Sequence, residues 1–342
     1  MSLLERVNAP ADLRELSTDQ LAELATEIRS FIVEAVARTG GHLGSNLGAV
    51  ELTLALHRVF ESPDDALLWD TGHQAYVHKL VTGRRELFGH LRQAGGLSGY
   101  PSRAESEHDV IENSHASTAL SYAFGLARGW RGDPARQDRK VVAVVGDGAL
   151  TGGMAYEALN NIGHSGLPVV IILNDNGRSY AETVSRLSEQ VSRVRLDPRY
   201  RRWRKVIDET VAKMPLAHRI TEAGVEALKI AVSDSPALQH FVEALGIRYA
   251  GPVDGHDLPR LEREFERARR QNGPVLVHVL TEKGKGYEPA ETDPEKCLHD
   301  TSAFDITTGR ATIKPRQWTQ AFTDAILEVA QADPDVVVMT AA

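Results

Sequence analysis

The sequence that decides the fold is VVAVVGDGA at residues 141–149 together with VVIILNDN at residues 169–176. Each begins with an apolar, β-branched run of strand length, and each run stops at a polar turn. Between the two runs, residues 154–162 have the composition of a helix. We therefore predict a strand, a turn, a helix, a second strand and a second turn, arranged as one parallel crossover unit.

The two turns carry side chains suited to a metal ion and a phosphate. Asp147 and Asn176 follow the predicted strands, at the edge where open parallel sheets bind their ligands. Mg²⁺ takes about six oxygen ligands, and proteins commonly supply only one or two of them from side chains. Gly148 lacks a Cβ atom, so its backbone N–H can approach a phosphate closely. Gly-Asp-Gly alone is more often a simple tight turn; the second turn favours a site for Mg²⁺ and a diphosphate.

Composition limits the classes of protein to which the chain can belong. Its 342 residues allow a large core, and 42% hydrophobic and 25% charged residues are typical of a globular protein. The net charge of −8 argues against a nucleic-acid-binding surface. Cys297 is the single cysteine, which excludes an internal disulfide and is typical of a reducing compartment.

The start of the chain and its hydrophobicity predict a cytoplasmic protein. Residues 1–6 include Glu5 and lack the apolar core of a signal peptide. No run of eighteen apolar residues occurs, so we expect no membrane partner.

Strand-like and helix-like patterns alternate along the chain. Further helices are expected over residues 11–38, 50–59, 119–130, 241–245 and 261–269. Further strands are expected over residues 66–69, 248–250 and 275–280. This alternation predicts an α/β fold, a doubly wound and mostly parallel sheet with helices on both faces.

Composition also divides the chain. Residues 1–304 read as the main domain, with a polar, charge-rich variable insertion at 181–235 that we interpret as a solvated face or mobile insertion. Residues 305–316 read as a linker. From 317 to 342, a helix beginning near Trp318 and a strand at 336–339 read as the truncated start of a second domain.

Three of the thirteen histidines, His42, His73 and His115, lie among small residues at the ends of predicted elements. A histidine on a glycine-rich turn can approach a ligand without steric cover. A neutral imidazole can donate to or accept from a phosphate or a reacting hydroxyl near pH 7. Any one of them is equally well explained as a surface or capping histidine, but three of the same local design favour a site.

These motifs resemble the N-terminal part of the 1-deoxy-D-xylulose-5-phosphate synthase family, transketolase-like enzymes that use thiamine diphosphate and Mg²⁺. The resemblance covers nearly all of the chain except roughly residues 185–235. The matching motifs are GGHLGSNLG (40–48), DTGHQAYVHK (70–79), GLSGYPSRAES (96–106), SHAS (114–117), GDGALTGGMAYEALNN (146–161), NDNGRSY (174–180), GPVDGHD (251–257) and KGKGYEPAE (283–291). The resemblance implies the thiamine-diphosphate-binding fold for residues 1–304, and the pyrimidine-binding domain for the segment that begins at 317.

The resemblance also implies roles for individual residues. Asp147, Asn176 and the backbone carbonyl of Arg178 are expected to hold Mg²⁺. Catalytic roles are implied for His42, in proton transfer, and for His299, near the aldehyde phosphate. The expected cofactor contacts are His73, Ser114, His115, Ala116, Gly148, Ala149, Asn176 and, lining the pocket, Tyr287. Two matches depart from the family pattern: a glycine is common at the place of Ser114, and the residues beside His299 are less similar.

The implied reaction joins pyruvate, with loss of CO₂, to D-glyceraldehyde 3-phosphate and gives 1-deoxy-D-xylulose 5-phosphate, a precursor of isoprenoids, thiamine and pyridoxal. The implied partners are a second copy of the chain, or a chain that carries the missing domains. Two alternatives stay open: the diphosphate-binding subunit of a two-chain transketolase-like enzyme, and an inactive cofactor-binding fragment.

Overall fold

The computed structural model describes residues 2–177, 236–312 and 318–339. The strands in these ranges are β1 (Gly41–His42), β2 (Ala66–Trp69), β3 (Val141–Gly146), β4 (Val169–Asp175), β5 (Arg248–Asp254), β6 (Val275–Leu280) and β7 (Asp300–Thr301). The helices are α1 (Leu3–Arg6), α2 (Thr18–Thr39), α3 (Gly44–Gly48), α4 (Val50–Val59), α5 (Tyr76–Lys79), α6 (Ala119–Trp130), α7 (Gly153–Ser165), α8 (Pro236–Ala244), α9 (Leu258–Arg269), α10 (Glu288–Glu291) and α11 (Trp318–Ala332).

Five strands form a parallel sheet in the order β2-β3-β4-β6-β5. Four of them, β2, β3, β4 and β6, are nearly continuous apolar runs because parallel strands of this kind are buried on both faces. The edge strand β5 is only partly buried. All five carboxyl ends lie at one edge, and the register places Gly146 of β3 beside Asn174 of β4. The predicted α/β class and the parallel crossover unit are confirmed.

Helices cover both faces of the sheet. On one face, α6, α7 and α8 pack against alternate residues of β3 and β4 such as Val145 and Ile171. On the other face, α4 and α9 pack against the intervening residues, among them Val144 and Ile172. The alternation of the side chains divides the core into two layers, as a doubly wound sheet requires.

The first long helix begins later than the sequence pattern predicts. Residues Pro10–Glu15 form a 3₁₀ turn, and α2 begins at Thr18. Ser17 accepts a hydrogen bond from the backbone N–H of Gln20, and the Gln20 side chain accepts one from the Ser17 N–H. This capping box satisfies two donors at the helix start and sets the boundary there.

Some predicted strand ends are wrong, and one predicted strand does not form. β5 runs to Asp254 instead of ending at residue 250. β4 continues through Asn174 and Asp175, which were predicted to lie in the turn. Residues 336–339 do not form a strand, and the side chains of Val337, Val338 and Met339 are exposed. A strand needs a neighbour for its backbone hydrogen bonds, and no described segment supplies one there.

The remaining domain boundaries are only partly covered by the described ranges. Helix α11 forms where a helix was predicted, and none of its described side chains is buried. The predicted insertion at 181–235 lies outside the described residues. Ala311, in the predicted linker, forms an isolated antiparallel bridge with Phe304, which directly precedes the linker. No helix in the described part of the chain is long and apolar enough to cross a membrane.

Candidate functional site

The glycine-rich segment 40–48 packs against a segment from the far end of the main domain. Strand β1 pairs antiparallel with β7, with His42 opposite Asp300. The backbone N–H of Gly44 donates to the carbonyl of Leu298 over 3.0 Å. A Cβ atom at Gly44 would overlap with the carbonyl oxygen of Cys297. Glycine is therefore needed at this position so that the two segments can touch.

This pairing builds the histidine cluster, which consists of His42, His73 and His299. The ring centroids are 5.3 Å apart for His42 and His73, 4.9 Å for His73 and His299, and 5.7 Å for His42 and His299. Oγ of Ser45 lies 3.3 Å from Nδ1 of His299. The ring of Tyr100 packs edge-on against His42 at 5.7 Å. Three segments that are distant in sequence thus present imidazole rings to one another.

His42 and His299 are buried, His73 is half-buried, and all three rings are neutral near pH 7. Burial, with Arg92 and Lys283 nearby, lowers the pKa of His42 from 6.5 to about 4. Burial and then the charge of Lys283 lower the pKa of His299 to about 3. Burial lowers the pKa of His73 well below its ordinary value. Each ring therefore has one nitrogen that donates and one that accepts.

Two ring nitrogens in the cluster have no partner within the described chain. Nδ1 of His42 and Nδ1 of His73 are buried and form no hydrogen bond to any described residue. Buried polar atoms normally form hydrogen bonds, so two ring nitrogens without such a bond, close together at one edge of the sheet, suit a polar ligand. The glycine-flanked turn predicted an open His42, whereas the residue is only 6% exposed because the neighbouring rings cover it.

Asp147 and Asn176, which we call the metal-ligand pair because they are the predicted Mg²⁺ ligands, follow neighbouring strands at the same edge. The backbone N–H of Asp147 donates to the carbonyl of Asn174 over 3.3 Å. A carboxylate and an amide oxygen are ligands that Mg²⁺ accepts, with phosphates and water completing the shell. The predicted third ligand, the carbonyl of Arg178, lies outside the described residues. The described ranges contain no group of three His, Cys, Asp or Glu side chains that could hold a metal ion.

A loop with Ser114, His115 and Ala116 lies exposed beside the turn after β3. Oγ of Ser117 donates to the carbonyl of Ala149 over 2.6 Å, which ties the loop to the Gly148-Ala149 turn. The hydrogen bonds of His115 stay within its own segment, to Asn113, Ala116 and Thr118. The structure therefore brings His42 and His73 together with His299 and leaves His115 on a separate loop, where its cofactor role stays a prediction.

Tyr287 is half-buried, and its ring contacts Phe304 instead of the histidine cluster. Its hydroxyl donates to the carbonyl of Ile306 over 2.6 Å, and its ring packs against Phe304. Burial raises its pKa, with a further contribution from the charge of Asp305. These contacts fix the turn at 304–311, and a pocket-lining role for Tyr287 stays a prediction.

Sequence reasoning missed the buried polar residues that support this edge. The Asp70 carboxylate, directly after β2, accepts the N–H groups of Ser117 and Ala119 over 2.9 and 3.0 Å. Burial raises the pKa of Asp70, and the hydrogen bonds that it accepts oppose that effect. Asp175, predicted as part of a metal turn, instead lies 2.9 Å from Nε2 of His278 on β6. The sequence did contain a signal for these residues, because Asp70 and Asp175 each stand where a predicted apolar strand ends.

Comparison with known proteins identifies what this arrangement resembles. A family model described as 1-deoxy-D-xylulose-5-phosphate synthase matches residues 4–281. Proteins of that name from Frankia casuarinae and Saccharopolyspora erythraea are 54% and 53% identical over 346 and 344 residues, each match covering 100% of this chain. The same matches cover 52% and 53% of those proteins, so the chain spans about half the length of the curated relatives it matches.

Solved structures agree with the fold. Transketolase from Leishmania mexicana aligns with a TM-score of 0.56 and 16% identity, covering 92% of this chain and 48% of that one. Transketolase from Campylobacter jejuni aligns with a TM-score of 0.57 and 16% identity, covering 94% and 44%.

Proposed function

The chain belongs to the 1-deoxy-D-xylulose-5-phosphate synthase family, and from that membership we propose that it supplies the diphosphate- and Mg²⁺-binding half of a thiamine-diphosphate-dependent site. The proposed reaction joins pyruvate to the aldehyde carbon of D-glyceraldehyde 3-phosphate and releases CO₂, giving 1-deoxy-D-xylulose 5-phosphate. When bound, thiamine diphosphate would supply an electron sink for the loss of CO₂ from pyruvate.

The observation that carries the proposal is the histidine cluster at the carboxyl edge of the sheet. Three neutral rings meet within 6 Å of one another, and two of their buried nitrogens have no partner in the described chain. Groups of this kind can give and take protons at the oxygen atoms of two carbonyl substrates near pH 7. We assign proton transfer to His42 and a place beside the aldehyde substrate to His299.

The neighbouring turns suit the diphosphate. Asp147 and Asn176, with the carbonyl of Arg178, are the proposed Mg²⁺ ligands. Gly148 and Ala149 are proposed to face the diphosphate, together with the loop at 114–116 and His73. Backbone N–H groups in such turns bind anions because they present partial positive charge without the desolvation cost of an ammonium group. The chain itself would thus bind and orient the cofactor and exclude water from the reacting centre.

The relatives are about twice as long, so we propose that groups acting on the pyrimidine ring of the cofactor come from a further domain or partner chain. A homodimer or a pairing with such a chain are the assemblies that we consider, and we propose a cytoplasmic location on the strength of the single cysteine. In the alternative function, a two-chain transketolase-like enzyme, the donor substrate is a ketose phosphate instead of pyruvate.

The test uses residues 1–342 with thiamine diphosphate and Mg²⁺. Release of CO₂ from pyruvate and formation of pentulose phosphate are measured for the chain alone and after addition of the C-terminal half of a relative as a separate chain. We expect cofactor binding in both samples and turnover only in the mixture. Turnover by the chain alone would refute the divided site, and turnover of the mixture with a ketose phosphate but not with pyruvate would select the alternative function.

A further inference from the structure

The side chain of Asn46, on α3, is fully buried and uses both of its N–H donors on the backbones of two histidines. Nδ2 donates to the carbonyl oxygen of His42 over 2.9 Å and to that of His73 over 2.8 Å. Oδ1 accepts the backbone N–H of Tyr76 over 2.9 Å. A primary amide has two donors, so none is left for any other group.

Tyr76 completes the support of His42 from the other side. The backbone N–H of His42 donates to the Tyr76 hydroxyl over 3.2 Å, and the Tyr76 side chain is fully buried. Both polar backbone atoms of His42 are therefore held by this pair, one by Asn46 and the other by Tyr76. The backbone of His42 is fixed even though its ring nitrogen Nδ1 bonds to nothing in the described chain.

The two histidines belong to separate parts of the fold. His42 lies in β1, directly after α2, and His73 lies in the loop after β2. Their ring centroids are 5.3 Å apart. Because one amide group contacts both carbonyls, the position of that amide sets the separation of the two backbones. A shift of either segment by a fraction of an ångström would break one of the two bonds.

We propose that Asn46 is a positioning residue, which acts through His42 and His73 by holding their backbones at a fixed spacing. This inference rests on the function proposed above for the histidine cluster. Asn46 is not proposed to touch substrate or cofactor. A purely structural role, in which it only satisfies buried backbone groups, predicts a loss of stability without a change at the two rings.

The decisive variant is Asn46→Asp, which keeps the shape of the side chain and replaces the donor by an oxygen that repels both carbonyls. A matched control is Asp65→Asn. Asp65 is also buried and accepts the N–H groups of Glu61 and Lys140 over 2.8 and 2.7 Å, at the opposite, amino end of β2. Each variant thus changes one terminal atom of a buried side chain that is hydrogen-bonded to backbone groups. Of the two side chains, only Asn46 is hydrogen-bonded to the histidines.

Two measurements distinguish a positioning role of Asn46 from a purely structural role. Ring-nitrogen NMR signals of His42 and His73, assigned with single histidine substitutions, are recorded without cofactor. The kcat and KM are measured in a full-length synthase that carries this chain. We expect Asn46→Asp to shift both sets of signals and to lower kcat by about 10²-fold, the loss typical of a displacement near 1 Å. Asp65→Asn should leave the signals and kcat at their wild-type values, whatever its effect on stability.

A third variant keeps the test valid if Asn46→Asp does not fold. Tyr76→Phe removes only the hydroxyl that accepts the His42 N–H, so it should shift the signals of His42 and leave those of His73 in place. Unchanged signals of both histidines in folded Asn46→Asp, or of His42 in Tyr76→Phe, would overturn the proposal, as would equal shifts in Asp65→Asn. Absence of turnover in the wild-type synthase would refute the proposed function instead, and the NMR signals would still report on Asn46.

Discussion

The side-chain amide of Asn174 donates a hydrogen bond of 2.8 Å to the side-chain carbonyl of Gln74. Gln74 follows His73 directly, and Asn174 precedes Asn176 by two residues, so this contact connects the histidine cluster to the metal-ligand pair. Oδ1 of Asn174 also accepts the hydroxyl of Thr281 over 2.6 Å, at the end of β6. The two halves of the proposed site are thereby held to one rigid edge of the sheet.

Replacement of Asp147 by alanine should abolish Mg²⁺-assisted binding of thiamine diphosphate. The variant loses the only carboxylate in the proposed ligand set. Loss of a direct ligand should lower affinity by more than the roughly 10–100-fold that loss of an outer partner of a metal ligand costs. Isothermal calorimetry with and without Mg²⁺ measures the change. Asp138→Ala, which removes an exposed carboxylate elsewhere, is the control, and wild-type affinity in Asp147→Ala would show that the site is assigned wrongly.

Replacement of His42 by alanine should leave the fold intact and remove most turnover in the full-length synthase. The ring packs against His73 and His299, and Nδ1 has no hydrogen bond within the described chain whose loss would destabilise the fold. General acid–base groups typically contribute about 10²–10⁴-fold to rate. His90→Ala, at an exposed histidine, should retain activity. A His42→Ala enzyme with near-wild-type kcat would rule out proton transfer by this residue.

Stability should fall as the pH decreases from about 6.5 to 4, because of His78. This ring is completely buried between His57 and Asp109, 2.8 and 2.9 Å away, with Arg84 and His108 also nearby. Burial lowers its pKa from 6.5 to about 4, although Asp109 opposes the shift. In this window the unfolded chain binds a proton that the folded chain does not. The stabilisation is therefore present in full above pH 6.5 and is lost as the pH falls.

The difference between the pKa of His78 in the unfolded chain and in the folded chain corresponds to a loss of about 3 kcal/mol in the free energy of unfolding as the pH falls through this window. Asp109 keeps its charge there because hydrogen bonds from His78 and Arg84 outweigh burial and lower its pKa. Urea unfolding of the wild-type chain and of His78→Gln at several pH values tests this contribution. The variant should be less stable at pH 7 but should lose less on acidification, and equal slopes for the two proteins would contradict the assignment to His78.

Gly44→Ala should destabilise the chain by about 1–3 kcal/mol, the usual effect of overpacking. The added methyl group overlaps with the carbonyl oxygen of Cys297 and must push β7 and His299 away from His42. Gly125→Ala on α6 is the matched control, since its methyl group meets no described atom within 4 Å. That substitution should stabilise by about 0.4–1 kcal/mol. Thermal unfolding compares the two, and a neutral Gly44→Ala would mean that the segments separate freely.

The sequence predicted β2, β3, β4 and β6 well because these strands are buried on both faces. The partly exposed β5 was predicted over residues 248–250 only, and it extends to Asp254. β6 has the predicted bounds, and β3 is one residue longer than its apolar run. β4 continues through two polar residues because Asn174 and Asp175 find buried partners on neighbouring elements, which a pattern within one segment does not reveal. The predicted strand at 336–339 failed for the opposite reason, since an apolar run cannot form a strand without a neighbour.

The site was predictable only in part. The turns with Asp147 and Asn176 follow from the crossover unit, and glycine-rich surroundings indicated His42 and His73. His115 has similar surroundings and lies on another loop. The place of His299 depends on the pairing of β1 with β7, between residues far apart in sequence. No periodicity contains that information, and the resemblance alone indicated the residue.

Pairing of β1 with β7 also determines when the histidine cluster can assemble during synthesis of the chain. Ser45 and His299 are 254 residues apart in the chain, a distance that a ribosome covers in roughly 13–50 s at 5–20 residues per second. For that interval the glycine-rich segment has been synthesised but the strand that completes it has not. The parallel sheet has all its strands by residue 280, some twenty residues before β7. A nascent chain can therefore complete the strands of its scaffold before the segment that completes its histidine cluster has been made.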